Sequence, residues 1–122
     1  MNGLAQTAEL MRLAPHVYGA ALPASRDEQA AAGVTERVME KAASEPVIAR
    51  ERLVESAILT AVRRAPAPCF EDMQRPDREA VALARLAGYS TDQIASSLGI
   101  AVEDVKAGML RALRGAALRA AS

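Results

Sequence analysis

Few side chains in this chain have both the type and the spacing for covalent or acid–base chemistry. His16 is the sole histidine, and beside Pro15 in an apolar helical pattern it reads as a surface or packing residue. Cys69 is the sole cysteine, so neither a disulfide framework nor a clustered metal site is expected. In a proline-rich stretch that thiol reads as a loosely buried small residue, with a reactive thiol as the alternative. Asp27/Glu28 and Glu71/Asp72 are adjacent pairs; neighbours in sequence do not share a helix face, so they read as caps or solvated charges. No Gly-rich phosphate loop and no nucleophile–base constellation is present. An enzyme is not expected, nor a catalytic residue, a metal or a cofactor. What remains is charge: Lys106, Arg111 and Arg114 are cations of the kind that hold phosphate oxygens.

The charge balance points the same way, weakly. The 122 residues carry 15 basic and 15 acidic side chains. Residues 1–73 hold 8 basic and 10 acidic, or −2; residues 74–122 hold 7 and 5, or +2. Any nucleic-acid contact therefore belongs to the C-terminal half. Apolar residues make up 51% of the chain and aromatic ones 2%, so a core must be built from Leu, Val, Ile, Met and Ala. With no strand-like alternation, the composition indicates an all-α protein. No run of about 18 apolar residues and no signal-peptide pattern is present, so no membrane association is expected and the default address is the cytoplasm.

The elements that must position the cations are three helices between Arg78 and Arg114. Ala80, Val81, Leu83, Ala84 and Leu86 place an apolar stripe on the first, which Gly88 ends as a left-handed cap. Ser90 and Gln93 have the spacing of a capping box, opening a short helix over about Thr91–Leu98. Gly99 makes the turn with positive φ, Ile100 plugs the core, and a third helix starts near Val102. Ile94, Leu98, Ile100, Val105 and Met109 fall where two steeply crossing helices pack, and Ala95 is small where they come closest. That is helix-turn-helix spacing, in which the third helix enters a major groove; the alternative is a generic αα-hairpin in a bundle core.

The run GYSTDQIASSLGIAVEDVKAGMLRALRGA resembles region 4 of bacterial sigma factors, in particular the small extracytoplasmic-function (ECF) group. The resemblance rests on Gly88, Ser90, Ile94, Ala95, Leu98, Gly99, Ile100, Val105, Lys106, Arg111, Ala112 and Arg114. It implies promoter DNA and the RNA polymerase core as partners. It also implies that Glu103, Asp104, Lys106, Ala107 and Gly108 face the groove. Lys106, Arg111 and Arg114 would then position phosphates, while Glu103, Asp104 and Ala107 face the bases. A carboxylate can accept from a cytosine amine, yet the acidic pair equally suits the helix N-terminal dipole. Gly108, where the family commonly has a basic residue nearby, costs about 1 kcal/mol of helix stability and removes a phosphate contact.

The preceding chain gives an N-terminal unit of three helices over 1–64. Leu10, Leu13, Val17 and Ala21 share a face within 4–22, with a kink or break expected near residue 14 before Pro15. Pro23–Ser25 is expected to turn, and Ser25 or Asp27 to cap the next helix. Ala31, Val34, Val38 and Ala42 face inward on 27–43, which Ser44–Pro46 closes. A third helix over 47–65 has the stripe Val47, Val54, Ile58 and Val62, widened by Leu53, Ala57 and Ala61. Arg50, Arg52, Arg63 and Arg64 line its solvated face. Residues 65–76, with Pro66, Pro68 and Pro76, form a linker expected to be extended, before a helix-turn-helix domain over 77–122.

This front half is similar to a shortened ECF region 2, through ELMRLAPHVYGAALPASRDEQAAAGVTERVMEKA and ARERLVESAILTAVRR. It departs from the family in having no Trp, Phe or Tyr between Tyr18 and Phe70. Without a π-face to stack an unpaired base, promoter melting by this chain alone is not expected. The alternative function is a degenerate sigma mimic that binds an anti-sigma factor or another protein without binding promoter DNA.

Overall fold

The computed structural model describes residues 3–45 and 49–121. Its described residues form seven helices: α1 (Gly3–Ser25), α2 (Glu28–Ala43), α3 (Arg50–Arg64), α4 (Pro68–Glu71), α5 (Arg75–Leu86), α6 (Thr91–Leu98) and α7 (Val102–Ala121). The fold is all-α. α1 packs on α2 and α3, α3 carries α5, and α5 carries both α6 and α7. One hydrophobic cluster runs through both halves, from Val17 and Ala21 through Ile58 and Val62 to Leu83, Ile94 and Val105.

α1 corrects two expectations. It continues through Pro15, which excludes the break of the kink or break expected there, and includes Pro23, where a turn was expected. A proline in a helix interior forfeits the bond to the carbonyl four residues earlier, at roughly 3 kcal/mol. Here both prolines are exposed, and the carbonyls they release belong to the exposed Met11 and Gly19, where water can replace the bond. Burial of Val17, Ala21 and Ala24 on the opposite side holds the helix together. The reversal comes at Arg26, whose φ is +55°. Asp27 then caps α2, its carboxylate accepting from the Gln29 and Ala30 amides; Ser25 instead donates to the Ala21 carbonyl.

On α2 the four expected inward residues, Ala31, Val34, Val38 and Ala42, are all buried, and Ser44 is the C-cap. α3 begins at Arg50, later than expected, and buries Leu53, Ala57, Ile58, Leu59, Ala61 and Val62. Val54 is half-buried; Pro46 and Val47 lie outside the described residues. Arg50, Arg52, Arg63 and Arg64 are exposed.

The 65–76 stretch is not extended. Pro68 starts the single turn α4, Phe70 is only 1% exposed, and Ala67 is fully buried. The Ala67 amide donates to the Ala24 carbonyl at 2.8 Å, fastening this stretch to the end of α1. Its main anchor is Arg78, whose guanidinium donates to the carbonyls of Val62, Phe70, Glu71 and Met73. A planar fork with five donors can satisfy several carbonyls at a chain reversal where a lysine would reach fewer. Phe70 is the largest fully buried side chain of the described residues. It supplies from an aperiodic stretch the volume that a helical stripe would have supplied.

Candidate nucleic-acid interface

The C-terminal three helices are fixed by local chemistry at each end. The Leu83 carbonyl accepts from the amides of Ala87 and Tyr89, and Gly88 between them has φ +69°. The Ser90 hydroxyl accepts from the Gln93 amide at 3.2 Å while the Gln93 side chain accepts from the Ser90 amide at 2.8 Å, the reciprocal capping box. Gly99 is left-handed at φ +67°, and its amide closes α6 on the Ala95 carbonyl. Ile94 and Val105 are buried to 1% exposure or less, Ala95 to 8%. Leu98, Ile100 and Met109 pack around them half-buried. The helix-turn-helix spacing is thus realised.

α7 runs about 30 Å at 1.5 Å per residue. Its first turn carries Glu103 and Asp104, where carboxylates meet the positive end of the helix dipole. Glu103, Asp104, Lys106, Ala107, Arg111 and Arg114 are all exposed. At 100° per residue, Glu103, Ala107 and Arg114 share the outermost line, with Lys106 on one flank and Asp104 and Arg111 on the other.

Arg111 is already engaged. Its Nε and Nη2 donate to the two Asp77 carboxylate oxygens, both at 2.9 Å. Asp77 is 9% exposed against 60% for Arg111, so the acid is buried at the start of α5 and the arginine folds over it. The bond to Asp77, then its charge, raises the already high guanidinium pKa, so Arg111 stays cationic. Gly108 does not face the groove position expected of it. It is buried, and a Cβ there would stand 2.6 Å from Asp77 Oδ1. The missing side chain makes room for the carboxylate that holds Arg111.

A second polar junction joins the halves. Arg63 on α3 pairs with the buried Glu79 of α5, and Arg75 approaches the same carboxylate at 3.6 Å. Ser97 on α6 donates to Glu55 on α3 at 2.6 Å. Tyr89 has its hydroxyl pKa raised from 10.0, first by burial and then by its bond to Glu55. Neither Asp77 nor Glu79 stands out in the sequence: Asp77, in the first turn of α5, looks like an ordinary dipole partner, and Glu79 like a charge on a solvated helix face. Cys69 is exposed, and no cluster of metal-ligating side chains occurs among the described residues. No described helix is long and apolar enough to cross a membrane.

Residues 69–114 match sigma-70, region 4. The chain therefore carries a C-terminal region 4 domain, which begins in α4 and takes in α5, α6 and α7 as far as Arg114. The Arg111–Asp77 pair and the Gly108 space both fall inside region 4, while residues 115–121 of α7 lie beyond the match. No curated protein and no solved structure matches the chain. Region 4 supports a sigma-factor-like role in DNA binding or in contact with RNA polymerase.

Proposed function

We propose that the chain is an ECF-type, sigma-factor-like transcription regulator of the bacterial cytoplasm. In this reading α7 contacts promoter DNA and residues 1–64 contact the RNA polymerase core. The observation that carries it is the setting of α7: Val105 and Gly108 face inward while Glu103, Lys106, Ala107 and Arg114 stand exposed on the turns that would meet a groove. Lys106 and Arg114 are the phosphate cations, and Glu103, Asp104 and Ala107 face the bases. Arg111 contributes from the flank, its guanidinium shared with Asp77.

Anisotropy titration of a labelled promoter-length duplex at low salt tests this. Binding is expected, with Lys106→Ala weakening it at every sequence alike and lowering the salt slope by about one. No binding to any duplex, with Lys106→Ala unchanged from wild type, rejects it.

A second reading is favoured by the engagement of Arg111 with Asp77, which leaves fewer free cations beside an acidic first turn. Here the chain is a sigma mimic that sequesters an anti-sigma factor. Recovery of a small anti-sigma partner without polymerase, and without duplex binding, supports that reading over the first.

A further inference from the structure

Arg111 meets Asp77 with one edge of its guanidinium only. Nε and Nη2, the nitrogens of the side edge, donate to the two carboxylate oxygens at 2.9 Å. A guanidinium carries five N–H donors in one plane, so the end edge, made by Nη1 and the second hydrogen of Nη2, is left over. That edge belongs to a side chain 60% exposed, lying over a carboxylate 9% exposed.

The seat of the carboxylate is purpose-built. Asp77 fills the space over Gly108, where a Cβ would stand 2.6 Å from Oδ1, and α7 gives up helix propensity at that position to make room. Pulling Arg111 away would leave a buried, uncompensated charge, which costs more than one exposed phosphate contact returns. A duplex therefore meets Arg111 with the pair intact. At 100° per residue, Arg111 lies about 40° round α7 from Ala107, on the flank. The flanks of a helix seated in a groove face its walls, where the phosphates run. An arginine free in water loses rotamer freedom when it takes a phosphate, whereas one already fixed along its side edge has less to lose. The Asp77 charge works against a phosphate, but the guanidinium lies between the two.

We propose that Asp77 is a positioning residue for DNA binding: it holds Arg111 side-on, so that the end edge of the guanidinium takes two oxygens of one backbone phosphate. The proposal rests on the reading of α7 as the helix that contacts DNA.

Anisotropy titrations of a labelled promoter-length duplex at low salt compare wild type, Asp77→Asn, Arg111→Lys, Arg111→Ala and the Asp77→Asn/Arg111→Ala double variant. A thermal melt of each keeps the assay below unfolding. Asp77→Asn removes a negative charge, and through charge alone it would tighten binding. Positioning requires the reverse, a weakening of roughly fivefold, alike for every duplex sequence. Arg111→Lys keeps the charge and loses the fork, and weakens binding comparably. In the Arg111→Ala background Asp77→Asn has no further effect on affinity, an outcome that a purely structural role for Asp77 does not give. Wild-type or tighter binding by Asp77→Asn, full affinity in Arg111→Lys, or an equal loss from Asp77→Asn when Arg111 is absent overturns the proposal and leaves the DNA-binding reading standing. So does a loss confined to one duplex sequence. Should Asp77→Asn not fold, Arg111→Lys decides alone: reduced affinity supports positioning and wild-type affinity rejects it. A wild type that binds no duplex overturns both.

Discussion

Gly108→Ala is expected to destabilise the protein, against the usual direction for a helix interior. Alanine there gains about 1 kcal/mol of helix propensity over glycine. Its Cβ, however, stands 2.6 Å from Asp77 Oδ1 and 3.3 Å from Asp77 Cγ, inside contact distance. The carboxylate has little freedom to retreat, being buried and bound through both oxygens to Arg111 at 2.9 Å. Overpacking of this kind costs about 1–3 kcal/mol, so the net effect is a loss of roughly 1 kcal/mol, or a fall in Tm of about 4 °C. In an Asp77→Ala background the obstruction is gone. The nearest remaining group, Arg111 Nη2 at 3.5 Å, is in ordinary contact, and the same substitution should then stabilise by about 1 kcal/mol. Urea denaturation of the four proteins by circular dichroism measures both effects. A Gly108→Ala change of the same sign and size in both backgrounds would refute the steric account of this glycine.

Two further outcomes follow from the polar junctions. Arg78→Ala removes the guanidinium donor from the carbonyls of Val62, Phe70, Glu71 and Met73, of which only that of Phe70 keeps the Met73 amide and that of Glu71 is open to water, and should destabilise by about 2–3 kcal/mol in urea melts. Arg78→Lys, keeping charge but not the fork, should recover under half of that. Because the folded-state pKa of Tyr89 is raised above 10.0, the unfolded chain loses that proton first as pH rises. The stability it contributes is therefore intact below pH 10 and lost through the interval up to the folded value. Glu55→Gln should move the phenolate absorbance transition of Tyr89 to lower pH; an unmoved transition would remove Glu55 as a cause.

The C-terminal helices were legible because their signals are local. Ser90 and Gln93 are three residues apart, and Gly88 and Gly99 sit where only a residue free of Cβ strain closes the turn cheaply. α2 was equally plain, since its stripe repeats over four turns. The misreadings came where tertiary burial outweighed a local rule. Pro15 and Pro23 stayed helical because their sides of α1 face water. The 65–76 stretch folded in because Phe70 found a cavity that no periodicity announces. Among the candidate site residues, exposure was foreseeable from the spacing on α7. The engagement of Arg111 was not, because its partner Asp77 lies 34 positions away, and neither was the inward turn of Gly108 toward that carboxylate.

Arg78 ties α5 to the end of α3 and to the α4 turn with one side chain, while Ala67 is tied to the end of α1. A hinge at the proline-rich stretch would have let the two ends of the molecule search for their targets separately. Fastened in this way, they behave as the jaws of a fixed caliper. Whatever grips the α1–α3 end has its distance and heading to the tip of α7 set in advance, and a target spaced differently would have to bend to meet it.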